Sequence, residues 1–291
     1  MTGSLRALHT KGRKLWETLR ILCGHPLTQS RRIRTLARYT ALQIRSRIKR
    51  DSMVVPFVGD TTLTFPDGMD GRRADLAVGL FEFEEMAFVL HALRGEDLFV
   101  DVGANIGLYT VLAGGVVGTP CLSLEPVPNT FGRLEKNLRL NDLERRVDAR
   151  NAGAGRESDT LRFTSTKGAN NRVLVDEGEE GIEVPVRPLD DLIETDSGGT
   201  MVLKIDVEGW EAEVLRGAER ILGRSDPLAL IIELCEGETY GFDEAAIDAR
   251  LQDHGFIPVV YAPFERILRK VNRHPPLGNT IYVNDLDAFA E

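Results

Sequence analysis

The sequence predicts a doubly wound α/β fold with a mostly parallel sheet. Five short apolar segments are typical of buried strands and lie at 98–102, 121–124, 147–149, 201–207 and 228–234. Amphipathic segments typical of helices lie between most of them, for example at 129–140 and 211–222. Regular alternation of strands and helices favours a parallel sheet that is covered by helices on both faces.

Further elements flank this alternating pattern. We expect a helix over 82–93, and a hairpin over 54–65 because Gly59-Asp60 is a turn signal between two apolar runs. Additional strands are predicted at 161–164, 182–186, 257–261 and 280–283. We therefore expect residues 51–291 to form one domain, with an N-terminal hairpin over 51–75 and the core over 76–291.

The first 50 residues are predicted to form a basic helical arm. They contain 13 lysines and arginines and one acid, Glu17, for a net charge of +12, whereas the remaining residues carry 23 bases and 44 acids. Leucines and isoleucines recur near helical spacing on either side of Gly24-His25-Pro26, which predicts two amphipathic helices. Such an arm is typical of contact with nucleic acid, an anionic membrane surface or an acidic partner. Packing against the acidic body or within a homodimer is the alternative.

The composition disfavours several classes of protein. No apolar run reaches the roughly 18–20 residues that span a bilayer. Basic residues interrupt the first 20 positions, so no secretory signal is predicted. The three cysteines, Cys23, Cys121 and Cys235, are far apart, which argues against a disulfide framework and a cysteine zinc site. We expect a cytoplasmic protein, with peripheral attachment to a membrane if the arm binds lipid.

The segment 99–110, FVDVGANIGLYT, predicts a ligand-binding loop. It ends a strand in an acid, turns at glycine and enters a helix, and open α/β sheets bind ligands outside such strand ends. Its Gly-x-x-x-Gly spacing differs from the Gly-x-Gly-x-x-Gly of pyrophosphate binders. A carboxylate at the loop entrance repels a pyrophosphate but not a sulfonium ligand with a free amino group, which favours S-adenosylmethionine over NAD. The predicted cofactor-binding residues are Asp101, Gly103, Ala104, Asn105 and Gly107.

Two later segments extend the predicted donor site. The second strand ends at Leu124-Glu125-Pro126, and an acid at this point can accept hydrogen bonds from both ribose hydroxyls. Asn151 and Ala152 follow the third strand, where the adenine edge is expected.

Four blocks together resemble the FkbM family of methyltransferases: FVDVGANIGLYT, SLEPVPNTFGRLEKNLRLN, LKIDVEGWEAEVLRGA and IIEL. The likeness runs from about Glu82 to the C-terminus, where GNTIYV resembles the family's closing strand. It implies a Rossmann-like class I methyltransferase fold, S-adenosylmethionine as the donor and, usually, O-methylation of a sugar or natural-product hydroxyl. The basic arm lies outside the family's motifs.

The carboxyl ends of the fourth and fifth strands supply the predicted catalytic residues. Methyl transfer to oxygen needs alignment of two reactants and removal of a hydroxyl proton. Strand alternation places Lys204, Asp206 and Glu208 on one side, and Glu233 ends the fifth strand. Asp206 is the predicted general base. Lys204 is expected to hold a carboxylate in place or to lower the pKa of the acceptor hydroxyl.

Two alternatives are open for these charged side chains. Asp206, Glu208 and Glu233 offer the hard oxygen ligands that suit a magnesium ion, so a divalent cation is a second cofactor hypothesis. The same residues are also consistent with a structural ion-pair network around Lys204, because unpaired charges are costly to bury.

The predicted activity is O-methylation of a small-molecule or glycan acceptor. An RNA methyltransferase that uses the basic arm to hold nucleic acid is the alternative. Nucleic acid is not the expected partner, because the body is acidic and Trp16 and Tyr39 are the arm's only aromatic residues. The loop spacing disfavours a nicotinamide-dependent dehydrogenase.

Overall fold

The structure is a computed structural model that describes residues 16, 18–48, 53–65, 73–165, 171–175, 178–194, 198–234, 237–272 and 278–289. The chain divides into two compact units, residues 1–83 and 84–291. The predicted division at residue 50 into an arm and a domain stays a prediction. Within the described ranges, every helix falls short of the length and apolar character that crossing a membrane requires.

The first unit contains three helices and a hairpin in its described part. Its elements are α1 at 18–24, α2 at Arg32–Ile48, β1 at Met53–Pro56, β2 at Thr62–Phe65 and α3 at Arg73–Val78. A 3-10 turn at Pro26–Thr28 separates the first two helices, because proline lacks the amide hydrogen that would continue α1. The two predicted amphipathic helices are confirmed over 18–48, whereas Leu5, Leu8 and Leu15 lie outside the described residues.

Strands β1 and β2 form the predicted hairpin. They pair antiparallel from Met53↔Phe65 to Pro56↔Thr62. The hairpin is shorter than the predicted 51–75, because Arg73–Val78 is helical and 66–72 lies outside the described residues. The alanines and leucine of this segment are good helix formers and alanine is a poor strand former, which explains the correction.

The second unit contains the main sheet and the helices that cover it. Its described helices are α4 (Phe83–Ala92, which begins at the last residue of the first unit), α5 (Leu108–Val111), α6 (Pro128–Leu140), α7 (Glu211–Arg216), α8 (Glu219–Leu222) and α9 (Glu244–Asp253). A π-helical turn at Leu112–Val117 continues α5. The strands are β3 (Leu98–Val102), β4 (Cys121–Leu124), β5 (Val147–Arg150), β6 (Gly153–Ala154), β7 (Asp159–Phe163), β8 (Ile182–Arg187), β9 (Met201–Ile205), β10 (Leu228–Glu233), β11 (Ile257–Ala262), β12 (Ile267–Lys270) and β13 (Asn279–Val283).

Eight strands form one sheet in the order β12-β11-β13-β10-β9-β3-β4-β5. Strands β10, β9, β3, β4 and β5 are parallel, and β13 pairs antiparallel with both β10 and β11. The chain runs outward from β3 to β4 and β5, then returns to β9 and β10 on the opposite side of β3. This order confirms the predicted doubly wound, Rossmann-like fold. Its topological switch point lies between the carboxyl ends of β3 and β9, where ligands of such sheets bind.

The two faces of the main sheet differ in polarity. One face packs against α7, α8 and α9 through a core of fully buried aliphatic side chains. The opposite face carries three buried polar side chains, Asp101, Ser123 and Lys204. Asp101 on β3 lies in register between Ser123 on β4 and Lys204 on β9. Buried polar groups are costly unless they are paired, so this face must contain an internal network.

Strands β6, β8 and β7 form a separate three-stranded sheet in that order. Strand β8 pairs parallel with β6 and antiparallel with β7. A small core of Phe163, Val173, Val184 and Val186 stabilises this sheet. The strands predicted at 161–164 and 182–186 therefore belong to the small sheet and not to the main one.

The predicted helix at 211–222 is broken after Arg216. The break lies at Gly217-Ala218, where a Cβ on Gly217 would come within 1.9 Å of the carbonyl oxygen of Gly155. The predicted fourth strand also ends early, at Ile205 instead of residue 207, because the following residues form a turn. Strand β12 has no counterpart among the predicted strands, since four residues are too few for a periodic signal.

Replacing Gly217 by alanine is expected to lower the free energy of unfolding by about 1–3 kcal/mol or more, because the new methyl group must displace the backbone of Gly155. Gly223→Ala is the matched control: Gly223 also follows a short helix, and its Cβ would have its nearest neighbour 3.4 Å away. Urea unfolding of both variants measures the difference. Equal stabilities would show that the contact between residues 155 and 217 is not tight.

Candidate functional site

Two loops cross at the switch point between β3 and β9. Gly103 has a φ of +80°, and a Cβ built on it would lie 1.9 Å from the backbone carbonyl oxygen of Asp206. The Asp206 amide donates a hydrogen bond of 3.0 Å to the Val102 carbonyl. Only glycine fits this crossing, since any side chain at residue 103 would separate the two loops.

The loop after β3 is held by contacts with β4 and α6. The amides of Gly103 and Ala104 both donate to the Leu124 carbonyl, at 3.0 and 2.9 Å. Gly107 has a φ of +85°, and a Cβ on it would lie 2.5 Å from Leu134 Cδ1 on α6. The Gly-x-x-x-Gly spacing that predicts a ligand loop is therefore also required by packing.

Glu125 joins the loops that follow β3 and β4. Its buried carboxylate accepts hydrogen bonds from the amides of Asn105 and Val127, each at 2.9 Å. Burial raises the pKa of this carboxyl to about 7, and the two amide hydrogen bonds oppose the shift. Glu125 thus stabilises Asn105 in its left-handed backbone conformation, with a φ of +53°. Its contact with ribose hydroxyls stays a prediction.

Asn151 and Ala152 follow β5 at the same edge of the sheet. The side-chain amide of Asn151 donates to the carbonyls of Glu125 and Pro126, at 2.8 and 2.9 Å, and Ala152 is buried. Asn151 therefore ties the segment after β4 to the end of β5. The adenine contact of both residues stays a prediction.

Asp101 lies inside the fold rather than at the entrance of the loop. Its side chain is 1% exposed and accepts a hydrogen bond of 2.6 Å from the Thr110 hydroxyl, which lies 2.8 Å from the Ser123 hydroxyl. Burial raises the pKa of Asp101, and the positive charge of Lys204 opposes the shift. Asp101 therefore links β3 to α5, and its contact with the donor's amino group stays a prediction. Thr110 and Ser123 are network members that sequence patterns do not identify, because hydroxyl residues at these positions carry no motif.

Lys204 and Asp206 form an ion pair next to Asp101. The Lys204 ammonium lies 2.7 Å from Asp206 Oδ2 and 5.0 Å from the centre of the Tyr109 ring. Lys204 is 3% exposed, so its charge depends on these partners for stabilisation. The ammonium in turn fixes the orientation of the Asp206 carboxylate. The Lys204–Asp206 pair of the predicted network is therefore present, and ion pairs of Lys204 with Glu208 and Glu233 stay a prediction.

Glu233 and Asp206 form a pair of neighbouring carboxyl groups. Glu233 ends β10, is half-buried and shares a side-chain hydrogen bond with Asp206. Burial and the carboxylates of Asp206 and Glu208 raise the pKa of Glu233 to about 7, whereas Lys204 opposes the shift. Two carboxyl groups in contact do not both ionise readily, so the pair takes up a proton as the pH falls through about 7. The structure thus brings together Lys204, Asp206 and Glu233, and the charge of Glu208 acts on Glu233 from nearby.

The turn after β9 corrects the predicted position of Glu208. Residues 206–209 leave the strand, and Glu208 has a left-handed φ of +55°, so strand alternation does not apply to it. Glu211, the first residue of α7, accepts the amides of Val207 and Gly209 at 3.2 and 3.1 Å. Burial raises the pKa of Glu211 to about 8. Glu211 therefore braces the turn that carries Asp206, and its only sequence signal is an acid in the first turn of a helix.

The magnesium hypothesis is not supported by the positions of the carboxylates. Among the described residues, no three histidine, cysteine, aspartate or glutamate side chains are arranged to hold a metal ion. Asp206, Glu208 and Glu233 lie within the described ranges and do not form such a group. The ammonium of Lys204 offsets part of their charge instead.

An aromatic cluster lies at the carboxyl ends of β9 and β10. Trp210 meets Tyr240 edge to face with ring centres 5.1 Å apart, and the Phe242 ring lies 6.3 Å from Trp210. All three rings are partly exposed, and Trp210 and Tyr240 pack on the core of the small sheet. Tyr240 and Phe242 cannot be recognised from the sequence, because they lie in an irregular segment without apolar periodicity.

These features place the chain among the doubly wound α/β proteins, whose ligands typically bind at the switch point. A model of the Methyltransferase FkbM domain matches residues 101–258, which is more than half of the chain. The matched range contains both crossed loops and every predicted site residue. The chain therefore belongs to the FkbM family of S-adenosylmethionine-dependent methyltransferases.

Similar proteins carry methyltransferase names. Methyltransferase 1 of Beauveria bassiana (strain ARSEF 2860) is 29% identical over 194 residues, which cover 58% of this chain and 75% of that protein. Methyltransferase sdnD of Sordaria araneosa is 28% identical over 171 residues, or 47% of this chain and 66% of that protein. Among solved structures, precorrin-6y C5,15-methyltransferase from Geobacter metallireducens GS-15 aligns with 17% identity and a TM-score of 0.39, over 69% of this chain and 86% of that one.

Gly103→Ala is expected to weaken binding of S-adenosylhomocysteine by about tenfold or more, because overpacking of this kind costs about 1–3 kcal/mol and displaces the loop after β3. Gly118→Ala is the matched control, since Gly118 also has a positive φ, +88°, but its Cβ would meet nothing within 4 Å. Isothermal titration calorimetry on folded variants measures the effect. Equal affinities of the two variants would contradict the predicted role of the loop after β3 in donor binding.

Glu211→Gln is expected to reduce the pH dependence of stability. The folded-state pKa of Glu211 is raised from 4.5 to about 8, so the folded chain keeps a proton that the unfolded chain loses. This stabilisation is fully present below the ordinary pKa and is lost as the pH rises through about 8. Glutamine retains an oxygen for the amides of Val207 and Gly209 and does not titrate. The free energy of unfolding of the variant should therefore fall less than that of the wild type between about pH 6 and about pH 9.

Urea unfolding across this pH range measures the effect of the Glu211 change. Glu135→Gln, a half-exposed position on α6, is the control and should retain the wild-type pH dependence. Parallel stability curves for Glu211→Gln and the wild type would show that this carboxyl is ionised in the folded chain.

Proposed function

We propose that this chain is an O-methyltransferase that transfers the methyl group of S-adenosylmethionine to a hydroxyl of a sugar, a glycan or a natural product. The observation that carries the proposal is the Lys204–Asp206–Glu233 cluster at the switch point. It lies next to the glycine loop, since the Asp206 carbonyl is in contact with Gly103. A base for the acceptor and a loop for the donor therefore meet at one place.

The cluster suits removal of a proton from a hydroxyl. The donor is already activated, so the protein must mainly align the reactants and accept the proton. Asp206 is the proposed general base, oriented by the ammonium of Lys204 at 2.7 Å. The contact with Glu233, whose pKa is about 7, provides a second carboxyl that titrates near neutral pH, where general bases are most effective.

The donor site that we propose consists of the loop residues Asp101, Gly103, Ala104, Asn105 and Gly107 with Glu125, Asn151 and Ala152. The bound donor would supply the methyl group as an activated sulfonium. The positive φ of Gly103, Asn105 and Gly107 gives the loop a backbone that approaches a ligand closely, which supports this assignment. Glu125 and Asn151 hold the neighbouring segments in place for it.

The proposed acceptor class follows from the aromatic cluster and from the charge of the body. The partly exposed residues Trp210, Tyr240 and Phe242 offer an aromatic surface against which a sugar ring or an apolar natural product can pack, beside the Arg216 guanidinium 5.2 Å from the centre of the Phe242 ring. Residues 51–291 carry 23 bases and 44 acids, which disfavours a polyanionic acceptor. Incubation with S-adenosylmethionine and a panel of glycosides, polyketides, phenols and RNA, followed by measurement of S-adenosylhomocysteine, tests the class. Turnover with RNA alone would overturn it.

Asp206→Asn is expected to keep donor binding and to lower kcat by about 10²–10⁴, because the amide keeps the shape of the carboxylate but cannot accept a proton.

Glu233→Gln is expected to change the pH profile of the rate. The wild-type rate should fall as the pH drops below about 7, when Glu233 gains a proton and donates a hydrogen bond to the Asp206 carboxylate. The variant should lack this fall, since glutamine does not titrate.

Steady-state rates as a function of pH, together with calorimetric donor binding, measure both changes. Asp253→Asn alters an exposed carboxylate at the end of α9 and serves as the control with wild-type rates. Near-normal turnover in Asp206→Asn combined with loss of turnover in Glu233→Gln would reassign the base to Glu233.

A further inference from the structure

One face of α2 carries apolar side chains that the fold leaves exposed. Ile33 is 86% exposed and Ile44 is 53% exposed. Ala37 and Ala41 lie between them at helical spacing and are exposed as well. Leu42, on another face of the same helix, is buried. The helix therefore packs through one face and presents a separate apolar stripe to solvent.

The preceding helix has the same character. Trp16 is 62% exposed and Leu19 is 43% exposed, whereas Leu22 is fully buried. The guanidinium carbon of Arg20 lies 5.8 Å from the centre of the Trp16 ring. Tryptophan and arginine both combine an apolar body with a polar end, which suits them to the boundary between water and lipid.

Exposed arginines accompany the apolar stripe of α2. Arg31, Arg32, Arg34 and Arg45 are exposed, and in the part of the chain that the structure describes none of them forms an ion pair with an acid. Burial lowers the pKa of Arg38, and the nearby positive charge of Arg34 adds to the shift. The stripe therefore lies in a field of positive charge that the described acids do not neutralise by ion pairing.

We propose that the exposed side of α1 and α2 binds the surface of an anionic lipid bilayer. On α2 this arm face is formed by Ile33, Arg34, Ile44 and Arg45, and Trp16 and Leu19 are exposed apolar residues before and within α1. A basic amphipathic helix lies in the headgroup layer, with its apolar side chains among the acyl chains and its bases on the phosphates. The arm face provides both components, and neither is required by the internal packing of the first unit.

Two other occupants match the arm face less well. Nucleic acid would pair its phosphates with the arginines but would leave Ile33 and Ile44 in water. A two-fold dimer through this face would bring residues 1–50 of each copy together, with a net charge of +12 on both sides. An anionic bilayer uses the charge and the apolar side chains together, which is why the observations favour it.

Co-sedimentation of the full chain with lipid vesicles tests this proposal. We expect sedimentation with vesicles of phosphatidylcholine and phosphatidylglycerol, weakened by salt, and none with phosphatidylcholine alone. Arg34→Gln combined with Arg45→Gln should lower the partition about thirtyfold, or about fivefold for each base removed. Ile33→Ser combined with Ile44→Ser should lower it about tenfold at unchanged charge.

Ile267→Ser is the matched control, because Ile267 is 49% exposed on β12 of the second unit and its replacement should leave the partition unchanged. Equal sedimentation with both kinds of vesicle would overturn the proposal. Binding of a labelled single-stranded RNA without vesicle binding would overturn it in favour of nucleic acid. A dimer seen by sedimentation velocity that is lost in the isoleucine variant, again without vesicle binding, would overturn it in favour of self-association.

Discussion

The contact between Gly103 and the Asp206 carbonyl is the constraint on which the rest of the site depends. It joins the loop after β3 to the turn after β9, where a Cβ would lie only 1.9 Å from the carbonyl oxygen. Neither segment can move far without the other. The proposed donor loop and the proposed base therefore share one support, which is the requirement for holding two reactants within reaction distance.

Buried acids fix the segments around this contact. Glu125 accepts two backbone amides on one side, and Glu211 accepts two on the other. Each carboxyl loses its hydration and has a raised pKa, so the arrangement costs stability at high pH. In return, backbone amides of both loops have hydrogen-bond acceptors. Asp206 and Glu233 are then carboxyl groups of the site that exchange a proton near neutral pH.

The sequence predicts the main sheet and the Lys204–Asp206–Glu233 cluster, because apolar strands are local signals and the carboxyl ends of neighbouring parallel strands must meet. It does not predict the break at Gly217, since the cause is a backbone contact with Gly155, which is distant in the chain. It also does not separate ligand contacts from internal ones. Asp101 has the position of a ligand residue, yet its visible partner is the Thr110 hydroxyl, which only the fold brings to it.

Strand β12 has a consequence for the behaviour of the protein in concentrated solution. It is one of the two outermost strands of the eight, so one side of its backbone has no neighbouring strand within the described sheet. An open edge of this kind can pair with the edge of another molecule and start aggregation. Strand β12 is short, and its Arg269 pairs with Glu265 at the preceding turn while Lys270 is exposed beside it. These charges would have to be desolvated in such a pairing, so they disfavour edge-to-edge association at this strand.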